Sequence, residues 1–138
     1  MGSYLNPGNK GFRESLNSEI YVDKTGLIEK TNAVLDTRQK FLCVSRPRRF
    51  GKSMAADMLA AYYDREEDAS ALFDPLKISR TDSYEKHRNQ YDVIKVNMQE
   101  FLSMTQSMDE MLVMLQRYLI FDLTDHFEGV LFRDKNNL

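Results

Sequence analysis

The stretch from Lys40 to Tyr63 constrains this chain more than any other, because three short runs of different chemistry follow one another without a break. Lys40-Phe41-Leu42-Cys43-Val44-Ser45 holds consecutive apolar side chains, the pattern of a strand buried on both faces in a parallel sheet. Arg46-Pro47-Arg48-Arg49-Phe50-Gly51-Lys52-Ser53 is basic and closes on Gly-Lys-Ser. Met54 to Tyr63 contains no Gly or Pro and is rich in Ala, Met and Leu, which lose little side-chain entropy in a helix. Strand, loop and helix in that order are the setting in which Gly-Lys-Ser reads as a phosphate-binding loop.

The first turn of a helix carries amide N–H groups without partners and the positive end of the macrodipole, so it attracts phosphate. Gly51 reaches backbone angles closed to other residues and brings its N–H close to phosphate oxygens. Lys52 would set an ammonium against the β- and γ-phosphates, and the Ser53 hydroxyl would be a Mg²⁺ ligand. The general G-x-x-x-x-G-K-[ST] pattern is nevertheless broken, because Arg46 occupies its first glycine position. On the residues alone two readings stay open: a phosphate loop, or a basic turn with no ligand.

Arg46 to Ser53, with Tyr21-Val22-Asp23-Lys24-Thr25 upstream, resembles the signature of the predicted AAA-ATPase-like family. Further matches run in order: Gly11-Phe12, Met58-Leu59, Tyr62-Tyr63, Leu72-Phe73, Leu76, Ile78 and Val93-Ile94, so the resemblance covers about residues 11 to 100. It implies that the Arg-Pro-Arg-Arg-Phe form is the phosphate loop. ATP and Mg²⁺ would then be the cofactors, with Arg46, Arg48, Arg49, Phe50, Gly51, Lys52 and Ser53 as the binding residues and Ser53 on the metal. In that family the ATPase domain is commonly followed by a PD-(D/E)XK nuclease-like domain, which makes nucleic acid an implied associate.

A length of 138 residues allows one domain, and 42% hydrophobic content is enough for a core. Net charge is −2, yet Arg46, Arg48, Arg49 and Lys52 concentrate positive charge, which favours a compact anion over a long nucleic-acid track. Cys43 is the only cysteine, so no intramolecular disulfide forms and a cysteine zinc site is implausible. No apolar run approaches a membrane span and no signal-peptide core is present, so a cytoplasmic protein without membrane association is expected.

In chain order, residues 1 to 10 read as a flexible lead-in and 11 to 138 as the N-terminal portion of the ATPase-like domain. Asp23 reads as an N-cap for a helix through Leu27 and Ile28 towards Leu35, its carboxylate accepting backbone N–H bonds, with nucleotide contact or an intersubunit role as the alternatives. Asp64 to Arg80 reads as an irregular connector anchored by Phe73, Leu76 and Ile78, followed by a short helix around Tyr84 to Arg88 with an exposed His87. Asp92 to Asn97 is the second expected strand. Ser107-Met108-Asp109-Glu110 fits a capping box opening a long helix that Gly129 ends, with an apolar stripe of Met108, Met111, Leu112, Leu115, Leu119, Leu123 and Phe127.

A Walker-B strand, four or so apolar residues ending in Asp, is not found after Asn97. Leu119-Ile120-Phe121-Asp122 imitates it but lies within a helical period. The fold expected is therefore α/β, a partial P-loop NTPase with an αβα parallel-sheet core truncated before the Walker-B strand. The edges of such a sheet call for a homo-oligomer or a missing C-terminal domain as partner. The leading function is Mg²⁺-ATP binding, with efficient hydrolysis by this chain alone not expected. The alternative is a non-catalytic nucleic-acid- or protein-interaction fragment using Arg46, Arg48 and Arg49 and the 107–128 helix.

Overall fold

Apolar residues spaced three and four apart after the basic loop fold as a helix whose far end fills a core. The computed structural model describes residues 2–45 and 51–127. The chain divides into two compact units, Gly8–Asp92 and a second made by residues 2–7 with 93–127. In the first unit α1 (Lys10–Leu16), α2 (Gly26–Val34) and α3 (Lys52–Tyr63) are followed by the short α4 (Ser70–Phe73), a 3₁₀ turn (Lys77–Arg80) and α5 (Tyr84–His87). Met58, Ala61 and Tyr62 of α3 meet Phe12, Ile28, Phe73, Ile78 and Tyr84 in one buried cluster.

Aromatic rings set the geometry of that cluster. Phe12 stacks on Phe73 at 4.7 Å, and Tyr62 meets Phe73 edge-on at 5.5 Å. Such pairs contribute about 1 kcal/mol each beyond the area they bury. Tyr62 is fully buried, so its hydroxyl must be satisfied internally: it donates to the Tyr84 carbonyl at 2.8 Å and accepts from Asn32 Nδ2 at 3.1 Å.

The last carbonyls of α3 have no partners within the helix, and the segment after α5 supplies them. Asn89 N–H donates to the Tyr62 carbonyl at 2.7 Å and Tyr91 N–H to the Tyr63 carbonyl at 2.9 Å. Asn89 Nδ2 reaches the carbonyls of Asp64 at 2.6 Å and Glu67 at 2.8 Å, while its Oδ1 accepts from Ala69 N–H at 3.0 Å. Its φ of 56° is left-handed, a conformation that asparagine tolerates better than other residues with a side chain.

In the second unit Asn97 caps α6 (Met98–Met104) by accepting from Gln99 N–H at 3.1 Å. Ser107 caps α7 (Met108–His126) by accepting from Glu110 N–H at 3.1 Å, whereas the Glu110 carboxylate turns back to Gln106 N–H. Phe101 is buried between the rings of Tyr4 and Tyr118. Asp122, on α7, gathers the amides of Ser3, Tyr4 and Leu5 at 2.8–3.0 Å. Burial pushes its pKa up, but those three bonds and nearby His126 outweigh that and hold the carboxyl below its usual value. A Cβ on Gly2 would sit 2.7 Å from this carboxylate, so the close approach requires glycine.

The expected αβα parallel-sheet core is not what forms. Among the described residues there is no β-strand, only an antiparallel bridge between Leu5 and Ile94 and a parallel one between Asp64 and Tyr91. The run 41–45 has neither strand nor helix, and Phe41 is 86% exposed. A doubly buried strand needs a hydrogen-bonded neighbour on each edge. The two expected strands instead fall in different units. The second spends its backbone groups on the N-terminal segment, through Asn6 N–H to the Val93 carbonyl at 2.7 Å and Lys95 N–H to the Tyr4 carbonyl at 2.9 Å. The core is helical and aromatic, so the P-loop sheet, with its truncation point before a Walker-B strand, is replaced as the description of this fold. The end of α7 expected at Gly129 lies outside the described residues.

Asn89→Ala removes the two side-chain donations to the Asp64 and Glu67 carbonyls and one acceptance, and puts alanine at a left-handed φ. It should lower stability by about 3 kcal/mol. Urea denaturation followed by circular dichroism measures this, and a change under 1 kcal/mol would refute the anchoring role.

Candidate functional site

Gly51 is the N-cap of α3 with φ 82° and ψ 23°, and as a glycine it supplies no side-chain cap to the first turn. The N-cap residue itself therefore puts no side chain over the amides and the positive dipole end of the helix start. A Cβ at Gly51 would lie 2.9 Å from Lys24 Nζ, so the bare backbone here admits an ammonium that a larger residue would displace.

This helix start opens on a cavity of about 800 Å³, inside the size range of ligand sites. Lys24, Lys30, Lys52 and Lys77 line it together with Asp23 and Glu29, four ammonium groups against two carboxylates. Val44, Ala33, Leu27 and Ala55 add apolar wall.

Two of these lysines reach the cavity through a polar clamp. Asp23 Oδ1 accepts from Thr25 N–H at 2.9 Å and from the Thr25 hydroxyl at 2.6 Å, and Asp23 Oδ2 accepts from Lys77 N–H at 2.8 Å. Thr25 is buried, and its Oγ1 accepts in turn from Ile78 N–H at 3.1 Å. The start of α2 is thereby tied to the 3₁₀ turn, with Lys24 beside one partner and Lys77 in the other. Burial pushes the Asp23 carboxyl up, but the bonds from Thr25 and Lys77 and the Lys77 charge bring it below its ordinary value of 3.8. The expected N-cap role is displaced by two residues: Thr25 is the N-cap of α2, and Asp23 holds the turn before it.

Of the residues expected to bind nucleotide, Gly51 and Lys52 meet at this cavity. Ser53 lies in the same helical turn with an exposed side chain and is not part of the wall. Arg46, Arg48, Arg49 and Phe50 lie outside the described residues. Lys30 and Lys77 went unseen in the sequence, and Lys24 stood in a block read for its aspartate. His87 is buried rather than exposed, its Nδ1 2.7 Å from the Tyr91 hydroxyl and its ring stacked on that tyrosine. Among the described residues no cluster of three or more His, Cys, Asp or Glu side chains could hold a metal, and no helix is long and apolar enough to cross a membrane. The alternative of an interaction fragment finds no support here, since its arginines fall outside the described residues.

A family model described as a predicted AAA-ATPase matches residues 9–129. No curated protein and no solved structure matches the chain.

Because the folded pKa of Asp23 is depressed, its contribution to stability is full above about pH 3.8 and disappears as the pH falls through the lower folded value. Asp23→Asn turns an amide donor towards either Lys77 N–H or Thr25 N–H. It should cost about 2 kcal/mol at pH 7 and flatten this part of the acid-unfolding profile. Urea titrations of both proteins between pH 7 and pH 3 measure it; parallel profiles would contradict the clamp.

Proposed function

The chain belongs to the AAA-ATPase-like family, and on that premise we propose that it binds a nucleoside triphosphate, ATP, together with Mg²⁺. The phosphates sit at the start of α3, on the amides after Gly51 and among Lys52, Lys24 and Lys77. The observation that carries this reading is Gly51 itself: a left-handed, side-chain-free N-cap on a 12-residue helix, opening on a lysine-lined cavity. The reading does not need a parallel sheet, because the donors that recognise phosphate belong to the helix start.

The donor set suits the anion. Backbone amides and ammonium groups are donors only, and the cavity wall carries an excess of two positive charges over its two carboxylates. Ser53, in the same helical turn, would supply a hydroxyl to Mg²⁺ bound with ATP, an ion that would neutralise phosphate charge. Arg46, Arg48, Arg49 and Phe50 complete the site as the sequence assigns them. Asp23 is occupied by three hydrogen bonds, so its part is to position Lys24 and Lys77. A cytoplasmic setting, which supplies ATP and keeps Cys43 reduced, fits this function.

Calorimetric titration with Mg²⁺-ATP tests the proposal. Lys52→Ala should bind at least about tenfold more weakly while melting like the wild type, since an exposed lysine at a helix start contributes little to the fold. Equal affinities in a folded Lys52→Ala protein, or no binding by the wild type, would refute it.

A further inference from the structure

A second, smaller cleft of about 140 Å³ adjoins the lysine-lined cavity, and Lys24 and Ala55 line both. Its chemistry is the opposite. Phe12, Tyr21, Val22, Met54 and Met58 make its walls, and polar side chains enter only through Ser15, Lys24 and the Tyr21 hydroxyl. The Ser15 hydroxyl already donates to the Gly11 carbonyl at 3.0 Å.

The rim of this cleft holds large apolar side chains that the fold leaves in solvent. Ile20 is 82% exposed, Val22 64% and Met54 42%. Scattered apolar residues on a surface need no explanation, but three around one cleft form a patch with a reason to be there. Met54 lies two residues after Lys52 in the first turn of α3, so the helix start that offers amides to an anion also offers a thioether to whatever is attached to it. Tyr21, set edge-on to Phe12 at 6.3 Å, adds a half-buried aromatic ring to the same lining.

We propose that this cleft seats the base of the bound nucleotide, with Tyr21, Val22 and Met54 enclosing its faces while the triphosphate lies along the start of α3. The inference rests on the nucleotide reading above and adds to it the part of the ligand that the lysines do not recognise. Apolar and aromatic walls bind a planar base through its faces, a form of recognition that every base offers. A volume of about 140 Å³ is on the scale of a single base.

The test compares Mg²⁺-ATP with Mg²⁺-tripolyphosphate, which carries the charges without the base, on the wild type and on Val22→Asn and Met54→Gln. Both substitutions are at exposed positions and keep the charge, and circular dichroism checks the fold. The wild type should bind ATP about tenfold or more tightly than tripolyphosphate, and each variant should lose most of that difference while its tripolyphosphate affinity stays unchanged. If ATP and tripolyphosphate bind the wild type equally, and Lys52→Ala weakens both, the phosphate site stands and the base cleft is overturned. If the variants weaken both ligands alike, the cleft is overturned as well. If neither ligand binds, both readings fall together.

Discussion

Everything placed in the larger unit depends on how the C-terminal end of α3 is held. A helix end buried in a protein must find partners for its last carbonyls, and here Asn89 and Tyr91 provide them through backbone amides while the Asn89 side chain spans the chain that leaves the helix. Tyr62, the penultimate residue of that helix, is locked into the aromatic cluster by its ring and by both hydrogen bonds of its hydroxyl. With one end fixed by core and caps, the other end projects as a rigid bracket, and Gly51 stands at its tip.

The Asp23 clamp does the same for the surroundings of that tip. Its bonds to Thr25 and Lys77 span more than fifty residues of sequence and bring ammonium groups from two separate segments to one cavity. Gathering like charges is unfavourable by itself, and a carboxylate held charged well into the acid range offsets part of it. The two devices are of different kinds, hydrophobic packing and capping at one end of α3 and polar fastening near the other. A substitution at one therefore leaves the other standing.

Local signals in the sequence were read well where the physics is local. The helix expected over Met54 to Tyr63 is present as Lys52–Tyr63, the short helix around Tyr84 is α5, and Ser107 caps α7 through Glu110 N–H. Lys52 was marked by its neighbours Gly51 and Ser53, and the Tyr21 to Thr25 block was marked as a unit before its clamp was visible. The strands were misread because four apolar residues in a row carry no periodicity that identifies their partners, and 93–95 found theirs in Tyr4 and Asn6. Lys77 and Asn89 were invisible for the same reason: each acts through bonds to residues far away in the chain, and no spacing rule announces such a bond.

Gly51 gives the first turn of α3 no side-chain cap of its own, and such caps ordinarily stabilise a helix by about 1 kcal/mol. That helix start stands beside four lysines, and an anion bound there as proposed would complete the one and offset the repulsion of the other. Occupancy and folding would then be linked quantities. In a solution rich in that anion this chain would be a sturdier object than its own contacts make it, and its lifetime would rise and fall with the supply of that anion.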